Sequence, residues 1–287
     1  MDLRGRRRSS NVEDRRGMRV SRPVAGIGIV GLLIGLVMAL FGINPMPFIA
    51  GFQQVNQNKV EMVEGDQPYQ ETAAEAEVSD MLKAVLAETE NVWTELLPRF
   101  QRRYAAPTLV LFKDAVQSAC GTASAAVGPF YCPEDQKIYI DTAFYDDLAQ
   151  RFGAPGDFAQ AYVLAHEVGH HVQTLLGISD QVREAQARNP GAQKQIQVMM
   201  ELQADCFAGV WAARTQAERP FLEQGDIEEG LRAASAIGDD RIQRQTQGYV
   251  QPDSFTHGSA EQRVRWFRQG LQSGDPASCD TFNAPQL

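Results

Sequence analysis

Hydrophobic residues follow two patterns along this chain. Val24 to Ile43 is an unbroken apolar run without a single charge, and about 20 such residues suffice to cross a bilayer as a helix. Downstream, apolar positions recur every three or four residues, as in helices that bury one face. Met81, Val85, Val92 and Leu96 predict a helix over 80–97 that Pro98 ends. Phe158, Tyr162, Ala165, Val168 and Val172 predict another, with Asp157 as its N-cap and Gly177 at its end. Further helices are expected over 142–152, 179–188, 196–213, 226–237 and 239–245, with a final one carrying Arg263, Arg265 and Trp266. Thr108–Phe112 and Lys137–Asp141 are compact β-like runs. Two such runs among many helices predict an α+β fold, mainly helical with a small sheet.

The flanks of the apolar run suggest a membrane arrangement. The first 22 residues hold Arg4, Arg6, Arg7, Arg8, Arg15, Arg16, Arg19 and Arg22 and show no apolar period, so they are expected to be a disordered basic tail. Arginines before the run and none soon after it orient a span with the tail in the cytoplasm and the remainder outside. A cleaved signal peptide is the competing reading. The run is longer than the roughly 7–15 residues of such a segment, and no clear A-x-A site follows. The expected organisation is therefore a cytoplasmic tail (1–22), a single transmembrane helix (23–43), a Gln-, Asn- and Gly-rich linker (44–75) and one large domain (76–287), exported from the cytoplasm.

A chain of 287 residues with a net charge of −9 and a pI near 5.0 lacks the basic face of a general nucleic-acid binder. Its four cysteines, Cys120, Cys132, Cys206 and Cys279, contain no C-x-x-C pair. Outside the cytoplasm an even count favours disulfides, and three pairings are possible. A local Cys120–Cys132 staple with Cys206–Cys279 tying down the C-terminal tail is the favoured pairing, and sequence alone does not settle it.

Three of the four histidines fall within Val163–Gln173. His166 and His170 stand one helical turn apart on the same face. That spacing lets two neutral imidazoles grip one zinc ion while Glu167, beside them, takes a proton from a water on the metal. A catalytic zinc usually keeps three protein ligands. Glu201 supplies the third, and Asp205, four residues on and on the same helical face, can accept the N–H of a ligand histidine and fix its tautomer.

His166-Glu167-x-x-His170 followed by Glu201-x-x-Ala204-Asp205 resembles the gluzincin signature of zinc-dependent endopeptidases. The fuller strings around these residues, and the opening Gly5-Arg6-Arg7-Arg8-Ser9-Ser10-Asn11-Val12-Glu13-Asp14-Arg15-Arg16-Gly17, resemble a bacterial membrane-anchored family of neutral zinc metallopeptidases. The resemblance implies a zincin-like domain holding one zinc and cutting protein or peptide substrates. Thr256-His257-Gly258 through Arg263 is similar to the Thr-His-Pro-x-x-x-x-Arg segment of some membrane-linked gluzincins, with Gly258 in place of the proline. It makes His257 or Arg263 the candidate stabiliser of the oxyanion. The run around Ile138–Ile140 is expected to receive an extended substrate at a sheet edge. A catalytically silent zinc-binding adaptor is the second reading; such a protein would be expected to have lost Glu167.

Overall fold

The computed structural model describes residues 1–20, 62–64 and 69–287. Among these, the strands are β1 (Val12–Asp14), β2 (Met18–Val20), β3 (Met62–Glu64), β4 (Thr108–Phe112), β5 (Ala115–Ser118), β6 (Gly121–Ser124), β7 (Phe130–Cys132) and β8 (Lys137–Asp141). The α-helices are α1 (Ala73–Leu96), α2 (Ala143–Gln150), α3 (Asp157–Leu176), α4 (Ile178–Arg188), α5 (Gln193–Glu218), α6 (Asp226–Ala236), α7 (Asp239–Gln247) and α8 (Ala260–Ser273). The expected α+β class, mainly helical with a small sheet, is what the structure shows.

The sheet runs β1–β4–β8–β7, with the first three strands parallel and β7 antiparallel to β8. Alternation along β4 and β8 sends side chains to opposite faces. Leu109, Leu111, Ile138 and Ile140 join the helical core, while Val110, Phe112 and Tyr139 pack with Val116 and Cys132 beneath the β5–β6 hairpin. Because β8 lies between β4 and β7, the expectation that Ile138–Ile140 offers an edge to substrate is corrected. The outer strand on that side is β7.

Helix α3 runs through the core, packed by α1, α5 and α6. Trp93 meets Phe207 edge-to-face at 5.3 Å, and Phe158 lies against Trp211 and Phe221. Two close approaches set the position of α5. A Cβ at Gly169 of α3 would sit 2.9 Å from the Ala204 carbonyl oxygen, and one at Gly270 of α8 would overlap the Cys206 carbonyl. Glycine at both points lets α3, α5 and α8 approach almost backbone to backbone. Helix α1 begins earlier than residue 80 because Thr72 and Glu75 cap each other reciprocally.

The basic tail expected over 1–22 is not a tail where it is described. Strand β1 adds to β4 in parallel, Leu3 joins the core, and the Ser9 N–H donates to the Lys83 carbonyl at 2.9 Å. The arginines are paired with carboxylates: Arg6 with Glu88 at 3.0 Å, Arg7 with Glu90 at 2.6 Å, Arg8 with Asp80 at 2.6 Å, and Arg16 with Glu71 at 2.8 Å. Charge pairing rather than apolar periodicity fastens this segment. The transmembrane helix expected over 23–43 lies outside the described residues, as does most of the linker. Among the described residues no helix is long and apolar enough to cross a membrane.

Two disulfides are present. Cys120–Cys132 ties the β5–β6 hairpin to β7, and Cys206–Cys279 ties the C-terminal segment to α5.

Arg6 and Glu88 are both almost fully buried. Replacing Arg6 by Ala strands a buried carboxylate, which costs about 3 kcal/mol by analogy with other broken buried pairs. A loss of that size lowers the thermal midpoint by roughly 6–12 °C in a domain of this size. Calorimetry of Arg6→Ala checks this, and an unchanged midpoint would contradict the packing of residues 1–20.

Candidate metal centre

The spacing of His166 and His170 puts both imidazoles on the face of α3 that meets α5. His166 Nε2 lies 3.3 Å and His170 Nε2 3.5 Å from the same Glu201 oxygen. One ligand atom from each of the three residues falls within 4.8 Å of the others. Two imidazole nitrogens and one carboxylate oxygen are the donor set of a catalytic zinc site.

The remaining polar atoms of the triad are occupied in ways that fix the donors. His166 Nδ1–H donates to Asp205 at 2.8 Å and His170 Nδ1–H to Gln173 Oε1 at 2.8 Å. Both Nε2 atoms are thereby left as the metal-facing nitrogens. Gln197 donates to the other oxygen of Glu201 at 2.9 Å, so this carboxylate also has a fixed orientation. The residues present fit zinc.

Sequence reasoning placed Asp205 behind a ligand histidine and missed Gln173 in the same role. Gln173 has no exposed surface. Its amide donates to the Met200 carbonyl at 2.7 Å and to Gln203 Oε1 at 3.0 Å, and Gln203 donates to the Cys279 carbonyl at 2.9 Å. A hydrogen-bonded chain therefore runs from His170 to the disulfide-held C-terminal segment. The only signal in the sequence was a glutamine three residues past a ligand, which is a common spacing.

Arg263 is where the reading changes most. It was expected to face the oxyanion, yet it is 2% exposed and donates to both Asp205 oxygens, at 2.8 and 2.9 Å. Tyr162 donates to the same carboxylate and accepts from Arg263 at 3.3 Å. Two nitrogens of the guanidinium are spent on Asp205, so Arg263, at the wall of the cleft, holds Asp205 in place. Burial alone would raise the Asp205 pKa, but Arg263 and His166 hold it down at about 2. Burial likewise acts to lower the pKa of His166, and Asp205, aided by Glu201, overrides it to about 9.

His257 sits at the opposite rim. Asp239 accepts the backbone N–H groups of Thr256, His257 and Gly258, at 2.6, 2.6 and 3.1 Å, and faces His257 Nδ1 at 3.2 Å. Its hydrogen bond to Asp239 raises the pKa of His257. His171 is fully buried. Its Nε2–H donates to the Ala105 carbonyl at 2.6 Å and its Nδ1 accepts from Tyr131 at 3.1 Å, tying α3 to β7. Burial pushes its pKa down to about 4.

These residues surround a cleft of about 680 Å³ whose walls include His166, Glu167, His170, Glu201, His257 and Tyr131. Glu167 lines it without belonging to the ligand triad.

A His–His–Glu triad, His166 and Glu201 buried and His170 partly so, with a separate glutamate beside it, opening into a cleft, has the form of a metallohydrolase site. Residues 1–282 match the model of one family, described as putative neutral zinc metallopeptidase, and the chain belongs to that family. It is 44% identical to the uncharacterized protein YpfJ of Escherichia coli strain K12, over 98% of this chain and 99% of that protein. It is 48% identical to the uncharacterized protein Mb2605 of Mycobacterium bovis, over 69% of this chain and 68% of that one. No solved structure matches the chain.

Removing a hydrogen-bond partner of a ligand typically costs about 10–100-fold in metal affinity. Gln173→Ala is expected to weaken zinc binding by that factor, and Glu201→Ala by more, because two imidazoles alone are an incomplete set. Competition with a chromogenic chelator measures both. Wild-type affinity in Gln173→Ala would show that Gln173 does not orient His170.

Proposed function

We propose that the chain is a gluzincin-type zinc endopeptidase that hydrolyses protein or peptide substrates outside the cytoplasmic membrane. The observation carrying the reading is the placement of Glu167 in the cleft beside the His166–His170–Glu201 triad, unused as a ligand. A silent zinc-binding adaptor would need the triad and would have no use for that carboxylate.

His166 Nε2, His170 Nε2 and a Glu201 oxygen would hold the zinc. When bound, zinc supplies Lewis acidity, polarising a peptide carbonyl and acidifying water at neutral pH. The Glu167 carboxylate accepts a proton from the attacking water and delivers it to the amide nitrogen as the C–N bond breaks. His257, with Nδ1–H directed at Asp239, turns Nε2 to the cleft and donates from there to the carbonyl oxygen as it gains charge. Strand β7 forms a wall of the cleft with Phe130 and Tyr131, and no strand among the described residues pairs with its outer edge. An extended peptide adding to that edge would meet the cleft with its backbone held in register. The two disulfides support an oxidising compartment.

Glu167→Gln is expected to keep its zinc and its melting temperature while kcat falls about 10²–10⁴-fold, the usual contribution of a general base. Near-native turnover of that variant, on any peptide the wild type cuts, would refute the assignment.

The His257 pairing predicts a pH effect. Asp239 raises the pKa of His257, so the donating cation persists further toward alkaline pH and activity falls as pH rises through that raised value. In Asp239→Asn the alkaline limb of kcat/KM should move to lower pH, and in His257→Gln it should disappear. Superimposable profiles for all three proteins would remove His257 from the reaction.

A further inference from the structure

The segment that follows α6 leaves the domain and returns to it at one narrow base. The Asp239 N–H donates to the Gly258 carbonyl at 2.9 Å, and the Asp239 carboxylate accepts the N–H groups of Thr256, His257 and Gly258. Asp240 accepts the Ala260 N–H at 2.7 Å. The two ends touch at Gly238, where a Cβ would lie 2.4 Å from the Ala260 nitrogen. Phe255, at the foot of the returning segment, packs against the helical core.

Beyond this base the segment is bonded to itself. Gln243 Oε1 accepts the Gln251 N–H at 2.8 Å and Gln243 Nε2 donates to the Ser254 hydroxyl at 2.8 Å, which folds the returning chain back onto α7. None of residues 241–253 is buried. Among the described residues, no hydrogen bond joins them to the domain outside 238–260. Tyr249, just past α7, is left 56% exposed. A unit that is stiff within itself and fastened only at its foot has the anatomy of a hinged lid.

The inner side of this unit faces the metal centre. Ile242 on α7 and Ile237 just past α6 both line the cleft that holds His166, Glu167 and Glu201, and both are only half-buried. They stand on either side of the base. Ile237 belongs to the fixed domain, where its carbonyl accepts from Arg263 at 3.3 Å, and Ile242 belongs to the arm. An apolar side chain between them leaves water on both faces, most completely when the arm is down. A ligand shifts such an equilibrium only by what it gains in one state over the other. Apolar burial supplies that difference here. His257 is held in the base by Asp239, so α7 can move while the imidazole keeps its place.

We propose that residues 239–254 are a lid over the metal centre, and that Ile242, closing toward Ile237, selects peptides that place an apolar side chain between the two. The peptide as occupant rests on the peptidase reading above; the lid rests on the geometry alone.

Gln247 at the end of α7 and Gln150 at the end of α2 are both exposed, and Phe144 of α2 lines the cleft. The four native cysteines are in disulfides. Nitroxides on full-length, zinc-loaded Gln150→Cys/Gln247→Cys therefore report the distance across the cleft. Two probes are compared at saturation, checked by calorimetry: an N-acyl-leucine hydroxamate and its glycine counterpart, both of which bind zinc through the hydroxamate. The leucine compound is expected to shorten and narrow the distance distribution, and the glycine compound to leave it unchanged. Ile242→Ser is expected to weaken binding of the leucine compound about tenfold and of the glycine compound not at all. An unchanged distance with the leucine compound bound would overturn the lid. Equal losses for the two compounds would overturn Ile242 as the selecting residue. Neither readout uses turnover, so a failure of the peptidase reading, seen with Glu167→Gln, stays separate from a failure of the lid.

Discussion

Asp205 has no exposed surface, and a carboxylate so placed must be paired and hydrogen-bonded or it costs several kcal/mol. Its partners come from two elements, His166 and Tyr162 from α3 and Arg263 from α8, while Asp205 itself stands on α5. The demand of one buried charge therefore fixes how three helices meet. It also sets the Nδ1 tautomer of His166, which decides which nitrogen faces the metal. The glycines at the α3–α5 and α5–α8 crossings answer the same demand, since a Cβ at either would push the helices beyond hydrogen-bonding reach.

A second polar chain, from His170 through Gln173 and Gln203 to the Cys279 carbonyl, does for the other imidazole what Asp205 does for the first. It differs in being neutral and in ending on the segment that the Cys206–Cys279 disulfide holds to α5. The two imidazoles are thus oriented by different means, one by a buried ion pair and one by hydrogen-bonded amides. Both leave Nε2 directed at Glu201.

What was legible in the sequence followed from helical periodicity. His166, His170, Glu201 and Asp205 could be read because a spacing of four on a helix is a statement about direction. Strands β4 and β8 were legible as compact apolar runs. The first 20 residues were not, because they are fastened by arginines whose partners, such as Glu88 and Glu90, lie some eighty positions away. Nothing local marks them as structural. Strand β7 is only three residues long and half polar in context, so it gave no β-like pattern. Arg263 was picked out as a stabiliser of the oxyanion, and only the packing shows that its guanidinium, at the wall of the cleft, is bonded to Asp205. Gln173 carries no charge and titrates nothing, and its importance exists only in three dimensions.

The central claim is that one metal sits among His166, His170 and Glu201. Anomalous scattering at the zinc edge from crystals of the zinc-loaded protein addresses it directly. The account predicts one strong peak about 2.0–2.2 Å from both Nε2 atoms and a Glu201 oxygen. A dominant peak elsewhere, for instance at the all-carboxylate group of Asp157, Asp226 and Glu229, with none at the histidines, would contradict it.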